Sequence, residues 1–291
     1  MGQRDCPESF GPFKLFRPKR TTMRYGFHYV ASLSLRFDER KKRKVRVWLP
    51  ESYDFDNPSP HPVLYMADGQ NLVDKYLTRF GDWHLDRVCH RLHEEEGVVE
   101  PILVGIDSPK EPQRMNELNP PYPVLPYLRK SRTGPTHPYG QKFVASIIEE
   151  VKPLVDGLFA TDKRVEATGV GGASMGGIMA FYAFISHPEV FGYSHCFSAP
   201  FIFYSHKELR WIMEKNNVNP ASNGKIYLYN GGKGSLEKKL APGVVFMDKL
   251  FREFGFGDDQ VQLAIDVKQL HKEEPWSKYS YPALKWWLKS L

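Results

Sequence analysis

A glycine-rich turn between an apolar strand and an apolar helix constrains the fold of this chain more than any other feature of the sequence. The pattern Gly-x-Ser-x-Gly spans 172–176, with Ser174 at its centre. Residues 165–170 are mostly small or β-branched and favour a buried parallel strand, whereas 178–185 are largely apolar and predict a buried helix. The flanking glycines have a steric reason, because side chains beside so tight a turn would collide with the strand or the helix.

A strand, a tight turn and a helix in this order would raise the hydroxyl of Ser174 above the end of a parallel sheet. In the α/β-hydrolase fold this unit is the nucleophile elbow, whose serine attacks an ester carbonyl. The first backbone N–H groups of the helix can then stabilise the oxyanion that forms. The alternative is a structural serine in a glycine-rich turn, but the predicted strand and helix on either side favour the elbow.

Composition limits the class of protein. A chain of 291 residues with 41% hydrophobic and 25% charged residues is an ordinary globular protein, long enough for one large α/β domain or two small ones. It has no run of about 18 apolar residues, so we expect no transmembrane helix and no membrane partner. The first 30 residues lack an apolar signal segment, and Cys6, Cys89 and Cys196 are scattered, so we expect a cytoplasmic protein.

The net charge of +6 is unevenly distributed. Residues 1–50 contain 13 lysines and arginines but only 4 aspartates and glutamates, and much of the excess lies in the run 40–44. Such a run is compatible with nucleic-acid binding. However, alternating segments at 28–37 and 44–49 flank it and predict an antiparallel hairpin with a solvated tip at 38–42. We therefore expect no nucleic-acid partner.

Beyond the hairpin, predicted strands and helices alternate. Strands are predicted over 61–68, 101–106, 165–170, 193–197, 225–229 and 261–267. Helices are predicted over 83–96, 143–159, 178–185, 207–214, 244–254 and 282–291. This alternation predicts an α/β-hydrolase fold, with a mostly parallel central sheet, an N-terminal antiparallel hairpin and helices on both faces.

The domain organisation follows from these patterns. Residues 1–25 show no clear periodicity and predict an irregular N-terminal arm, whereas 26–291 predict a single α/β-hydrolase domain. Within that domain, 107–137 contain seven prolines and little pattern. A loop of this length is usually disordered or functional, and here it would overhang the strand ends at which ligands bind. We therefore expect a substrate-binding segment.

A serine nucleophile needs a base within hydrogen-bond reach and a carboxylate that orients the base. In this fold the acid and then the histidine follow the serine along the chain. The histidines after Ser174 are His187, His195, His206 and His271. The first two have structural explanations in a helix and a strand, and the third precedes the expected acid. His271 follows the last predicted strand, where a loop can place it over the serine, so we assign it as the base.

The acid is expected just after the predicted strand at 225–229. Glu237 is the only carboxylate in the segment 230–237 and is our first choice, with Asp248 and Asp266 as alternatives. The oxyanion hole needs two N–H donors. We expect one from Met175 in the serine turn, and one from Gln70 in the loop after the strand at 61–68.

Several separated segments also resemble a known family. They are V-L-Y-M-A-D-G-Q-N-L-V-D at 63–74, R-M-N-E-L-N-P at 114–120, E-E-V-K-P-L-V-D at 149–156, the serine turn, and H-K-E-E-P-W with the following aromatic helix at 271–287. In this order they resemble the putative esterase family of the α/β-hydrolases. That family includes enterochelin-type siderophore esterases, feruloyl and acetylxylan esterases, S-formylglutathione hydrolase and mycolyltransferases.

The resemblance implies that Ser174 is the nucleophile, that His271 is its base, and that the loop 68–70 contributes to oxyanion stabilisation. The chain also departs from the family pattern. Ala67 stands where members commonly have histidine, and the segment that should carry the acid is rich in glycine and lysine, with Glu237 coming late.

Together these observations predict a serine carboxylic-ester hydrolase that forms an acyl-enzyme on Ser174, without a metal or organic cofactor. Acyl transfer and a non-catalytic binding role on the same fold are the alternatives. Candidates for contact with a small-molecule ester are Asp68, Tyr122, Trp211 and Trp276, although such aromatic residues more often serve packing. The sequence leaves open which ester is bound and whether the chain forms a homo-oligomer.

Overall fold

A computed structural model describes residues 6–16, 25–36, 42–73, 81–126 and 135–291. The strands of this part of the chain are β1 (Ser9–Phe10), β2 (Phe13–Leu15), β3 (Phe27–Ser34), β4 (Lys42–Leu49), β5 (Val63–Ala67), β6 (Ile102–Ile106), β7 (Thr168–Ala173), β8 (Tyr193–Phe197), β9 (Lys225–Gly231) and β10 (Val261–Asp266). They form one sheet in the order β1-β2-β3-β4-β6-β5-β7-β8-β9-β10.

The first strands of the sheet are antiparallel. β3 and β4 pair along their whole length, from Phe27 opposite Leu49 to Ser34 opposite Lys42. The tip predicted at 38–42 lies outside the described residues except for Lys42. β4 then pairs antiparallel with β6, which joins the hairpin to the rest of the sheet.

The arm predicted to be irregular contains strands β1 and β2. Their aromatic residues explain the difference, because Phe10 and Phe13 pack against Phe159, with ring centroids 5.0 and 5.9 Å apart. Phe13 is fully buried. β2 also pairs antiparallel with β3, with Leu15 opposite Tyr29, so this segment extends the sheet by two short strands.

From β6 to β10 all neighbouring strands are parallel. β5 shows how both faces of this part are buried: Val63 and Tyr65 belong to one hydrophobic core, and Leu64 and Met66 to the other. Side chains alternate between the faces of a strand, so a strand buried on both sides requires a cover on each face.

Helices provide that cover. The helices of the described part are α1 (Leu85–Glu96), α2 (Gln113–Glu117), α3 (Gly140–Ser146), α4 (Lys152–Leu158), α5 (Met175–Ser186), α6 (His206–Lys215), α7 (Gly234–Glu253) and α8 (Glu273–Leu288). One core contains Phe143 of α3, Phe181 of α5 and Met247 of α7. The other contains Leu85 of α1 and Trp287 of α8. The fold is therefore a mixed α/β sheet with helices on both sides.

Two helices begin earlier than their sequence patterns indicate. α7 starts at Gly234 and contains Pro242, and α8 starts at Glu273 and contains Pro282. Proline normally interrupts a helix because it lacks an N–H and crowds the preceding turn. The segment predicted as a proline-rich loop also contains a short helix, α2, while 127–134 lie outside the described residues. No helix among the described residues is long and apolar enough to cross a membrane.

The carboxyl ends of three neighbouring strands share an unusual backbone conformation. Asp68 follows β5 with φ 57°, Ser174 follows β7 with φ 55°, and Ser198 follows β8 with φ 44°. Positive φ is uncommon in residues other than glycine, and it clusters at functional sites. Because β5, β7 and β8 are adjacent, these turns lie at one edge of the sheet.

Candidate active site

Ser174 occupies the sharp turn between β7 and α5, with φ 55° and ψ −120°. Its backbone N–H donates to the carbonyl oxygen of Phe197 at 2.9 Å, which ties the turn to β8. A Cβ atom on Gly172 would lie 2.7 Å from the Cα atom of Gly176. The two glycines therefore allow strand and helix to meet closely, and the turn places a partly exposed serine at the start of a buried helix.

Ser174 and His271 line the same cleft, which has a volume of about 1070 Å³. Three further residues predicted to belong to the site, Asp68, Gln70 and Trp276, also line it. The other lining residues are Ala67, Asn71, Trp83, Pro109, Lys110, Glu111, Arg114, Ala173, Lys272 and Glu273. The fold thus brings together residues from the ends of β5 and β7, from the start of the proline-rich segment and from the loop after β10.

His271 is held by a carboxylate. Its Nδ1 atom lies 3.0 Å from Oε1 of Glu237, whose side chain is fully buried. Glu237 lies in the first turn of α7, where the helix dipole favours a negative charge. A carboxylate only accepts hydrogen bonds, so Nδ1 of the neutral ring carries the proton and Nε2 is left as the acceptor.

Three donors satisfy the Glu237 carboxylate. Oε1 accepts from His271 and, at 2.8 Å, from the hydroxyl of Ser198, while Oε2 accepts from the backbone N–H of Gly231 at 3.2 Å. Buried charges are tolerated when they are hydrogen-bonded in this way. No lysine or arginine in the described part of the chain forms an ion pair with this carboxylate.

The two alternative acids have other partners. Asp248 lies 3.6 Å from Arg252, and Asp266 accepts from the hydroxyl of Tyr279 at 2.8 Å. Among the three candidate acids, which all lie in described segments, Glu237 alone is hydrogen-bonded to His271.

The remaining histidines after the serine have structural contacts. His187 contacts Glu189, and His206 stacks on Phe246 with ring centroids 3.7 Å apart. His195 is fully buried, and burial lowers its pKa to about 3. A ring that stays neutral in a packed strand supports the structural interpretation of His195.

The loop after β5 is held in place at two points. A Cβ atom on Gly69 would lie 2.5 Å from the carbonyl carbon of Gly105, so only glycine allows this approach to β6. The side chain of Gln70 accepts from the backbone N–H of Ser108 at 3.1 Å.

The loop is also fixed by an ion pair. Arg114 of α2 donates to both carboxylate oxygens of Asp68, at 2.8 and 2.7 Å. Burial alone would raise the pKa of Asp68, but the guanidinium outweighs it and the pKa lies below its usual value. Asp68 lines the cleft, yet its carboxylate is already occupied by Arg114, so its position indicates a role in shaping the loop rather than a free contact for substrate.

The two amides expected to stabilise an oxyanion lie at the ends of adjacent strands. Met175 is the first residue of α5, and Gln70 lies in a short 3₁₀ turn, Gly69–Asn71, after β5. The first N–H groups of a helix have no acceptor within it. β5 and β7 pair directly, so both turns begin at the same edge of the sheet.

Tyr122 and Trp211 lie together on a different surface. Their rings meet edge to face, with centroids 5.7 Å apart, and Lys215 places its Nζ atom 4.9 Å from the Trp211 ring. Tyr122 also accepts a hydrogen bond from Asn216 at 2.8 Å. Neither aromatic residue is among those that line the cleft, so both have the packing role that the sequence offered as the alternative.

Other cleft residues were not singled out from the sequence. Glu273 is buried, accepts from the side chain of Asn71 at 3.4 Å, and has a pKa raised by burial. Trp83 packs beside Trp276, with ring centroids 5.5 Å apart. Arg114 and Glu273 lie in segments that carry the family resemblance, which is the signal that could have found them, whereas Trp83 stood out only as an apolar position of a predicted helix. Among the described residues, no group of three His, Cys, Asp or Glu side chains is arranged to hold a metal ion.

Comparison with known proteins identifies the class and then the family. The model of the family described as "Putative esterase" matches residues 39–250. This match covers more than half of the chain, so the protein belongs to that family and is an esterase. Among curated proteins, the uncharacterized protein YbbA of Bacillus subtilis (strain 168) is 21% identical over 249 residues, which cover 84% of this chain and 92% of the relative.

Solved structures share the fold. An IroE-like serine hydrolase from Shewanella oneidensis has a TM-score of 0.72 and 16% identity, covering 90% of this chain and 80% of its own. The siderophore hydrolase EstB from Aspergillus nidulans has a TM-score of 0.69 and 15% identity; the match covers 94% of this chain and 98% of EstB. A ferulic acid esterase has a TM-score of 0.66 and 18% identity; the match covers 91% of this chain and 98% of that esterase.

Proposed function

We propose that the protein is a serine carboxylic-ester hydrolase of the α/β-hydrolase fold, with Ser174 on a nucleophile elbow and with His271 and Glu237 completing a catalytic triad. The observation that carries this proposal is the 3.0 Å contact between Nδ1 of His271 and the buried Glu237 carboxylate, in a cleft that His271 shares with Ser174. The order serine, acid, histidine along the chain agrees with this fold.

The proposed reaction proceeds through an acyl-enzyme. Nε2 of His271 takes the proton of the Ser174 hydroxyl, and the oxygen attacks the ester carbonyl carbon. The amides of Met175 and Gln70 stabilise the resulting oxyanion. The imidazolium then protonates the leaving alcohol as the C–O bond breaks. In the second half, His271 takes a proton from water, hydroxide adds to the acyl carbonyl, and the acid is released as Ser174 regains its proton.

Glu237 has two functions in this mechanism. Its bond to Nδ1 fixes the tautomer that leaves Nε2 free to act as a base. Its negative charge stabilises the imidazolium that forms after each proton transfer. Both functions need a carboxylate held in a fixed position, and three hydrogen-bond donors at the start of α7 hold it there.

The cleft favours esters with a planar apolar group. Trp83 and Trp276 contribute neighbouring aromatic side chains to its lining, with ring centroids 5.5 Å apart. The charged side chains of the lining are balanced: Lys110, Arg114 and Lys272 against Asp68, Glu111 and Glu273. Structural neighbours include proteins named as a siderophore hydrolase and a ferulic acid esterase. We therefore propose small-molecule esters that carry an aromatic group as the substrate class, with hydrolysis preferred over acyl transfer.

The proposal predicts that Ser174→Ala abolishes hydrolysis of p-nitrophenyl acetate. Loss of the nucleophile typically lowers kcat by about 10⁴-fold or more. Ser186→Ala is a matched control, because Ser186 ends the same helix and its hydroxyl donates to the Tyr182 carbonyl at 2.7 Å. Both variants should retain the wild-type circular dichroism spectrum. Turnover by the Ser174 variant comparable with that of the control would refute the assignment.

A further inference from the structure

Ser198 lies directly after β8 and is fully buried. Its backbone N–H donates to the carbonyl oxygen of Tyr229 at 2.7 Å, which holds the turn against β9. The residue has φ 44°, in the left-handed region that serine rarely occupies. Such a conformation persists only where surrounding contacts fix it, and it is most common at functional sites.

The Ser198 hydroxyl joins a cleft-lining tryptophan to the Glu237 carboxylate. The indole Nε1 of Trp276 lies 3.1 Å from Oγ of Ser198, and that Oγ lies 2.8 Å from Oε1 of Glu237. An indole N–H only donates and a carboxylate only accepts. The proton of the hydroxyl must therefore point to Glu237, and the direction of both hydrogen bonds is fixed.

Two hydrogen bonds meet at a single oxygen atom. Oε1 of Glu237 accepts from Ser198 and from Nδ1 of His271. The rings of Trp276 and His271 in turn meet edge to face, with centroids 5.0 Å apart and an interplanar angle of 85°. Ser198 thus lies between the acid and the side chain that packs on the base.

We propose that Ser198 is a positioning residue of the catalytic site, whose hydroxyl fixes the Glu237 carboxylate and the Trp276 indole and so sets the strength of the bond between Glu237 and His271. This inference rests on the proposed function for its catalytic meaning. The hydrogen-bond arrangement itself does not depend on the identity of the nucleophile.

The arrangement has a consequence for the basicity of His271. A hydroxyl that donates to Oε1 withdraws negative charge from the oxygen that also holds the imidazole. Without the hydroxyl, more negative charge remains on Oε1, the oxygen that accepts from Nδ1 of His271. This charge stabilises the imidazolium. Removal of Ser198 Oγ should therefore raise the pKa of His271.

Other charged groups line the cleft in which His271 lies. The charged residues of this lining are Asp68, Lys110, Glu111, Arg114, Lys272 and Glu273. None of them is altered when Ser198 or Ser194 is replaced, so their influence on His271 is common to all variants compared.

The test is a pH titration of the His271 ring by NMR in the full chain, with its resonance assigned by comparison with His271→Asn. Ser198→Ala should raise the pKa of His271 by about half a unit or more. Ser194→Ala is the matched control, because Ser194 is a fully buried serine of β8, the strand that ends just before Ser198, and its hydroxyl has no partner among the described residues. Its titration should match the wild type.

Ser198→Gly provides a second variant in case the alanine variant does not fold, since glycine adopts φ 44° without strain. This variant should also raise the pKa of His271. An unchanged or lowered His271 pKa in the folded Ser198 variants would overturn the inference. Labelling of the wild type by a fluorophosphonate tests the serine assignment separately: a shifted titration without labelling would leave the positioning role intact and reject the proposed nucleophile.

Discussion

Glu273 brings a second carboxylate into the environment of His271. It is buried at the first position of α8, and the charge of His271 acts on it. Burial raises the pKa of Glu273 above its ordinary value. Above that pKa the residue is an anion, and an anion near an imidazole favours the imidazolium.

Replacement of Glu273 by glutamine should therefore move the acidic limb of the kcat/KM profile to lower pH. Without the nearby anion, His271 loses its proton more readily, and we expect a shift of about half a unit. Glu274→Gln is the control, because Glu274 is the exposed neighbour on the same helical turn. Measurement of ester hydrolysis between pH 5 and 9 checks this; a shift to higher pH, or equal shifts for both variants, would contradict it.

The sequence predicts some site residues better than others, for physical reasons. Ser174 lies in a local pattern whose glycines are required by the turn itself, and His271 and Glu237 follow from chain order. Ser198 carries no such local signal. Its hydroxyl acts on a carboxylate 39 residues later, and only the parallel pairing of β8 and β9 brings the two together.

At the scale of elements, helix starts were the least predictable boundaries that matter for the site. α7 and α8 both begin before a proline, and their first turns hold Glu237 and Glu273. Proline and glycine at 242–243 suggest an interruption in the sequence, but packing against the sheet keeps the helix continuous. The helix dipole at such a start favours a carboxylate.

The short helix α2 links the proline-rich segment to the loop after β5. Arg114 forms two hydrogen bonds with the buried Asp68, which lies two residues before Gln70. A donor that stabilises an oxyanion must be held in position before the reaction begins. The ion pair between these elements therefore supports both stability and the geometry of the proposed oxyanion hole.

Arg114→Gln should lower kcat/KM by at least about tenfold and reduce the melting temperature. The variant leaves Asp68 buried without its cation, and loss of hydrogen bonds to a charged group costs about 1.5–3 kcal/mol each. The double variant Asp68→Asn, Arg114→Gln should recover part of the thermal stability, because no unpaired charge remains.

Arg164→Gln is the matched control for this prediction. Arg164 pairs with Asp162, but its side chain is 58% exposed, and surface pairs contribute less than about 1 kcal/mol. Thermal melts and steady-state kinetics on the four proteins provide the measurement. Equal, small losses of melting temperature and kcat/KM in the Arg114 and Arg164 variants would show that the loop after β5 does not depend on α2.

At the scale of the whole molecule, periodicity predicted a single mostly parallel sheet, because buried strands and amphipathic helices alternate along the chain. It did not predict the exchange of β5 and β6 in the strand order or the addition of β1 and β2 at the edge. These features depend on long-range packing, such as that of Phe10 and Phe13 on Phe159. The cleft likewise joins residues that are far apart along the chain, from Ala67 to Trp276.

The most direct measurement of the central claim is covalent labelling of the folded protein with a fluorophosphonate, followed by peptide mass spectrometry. We predict a single adduct on Ser174, absent from Ser174→Ala and formed at least about a hundredfold more slowly in His271→Ala, because the serine hydroxyl needs its base. An unlabelled Ser174 in folded wild-type protein, or an adduct formed at the wild-type rate without His271, would contradict a serine hydrolase built on this pair.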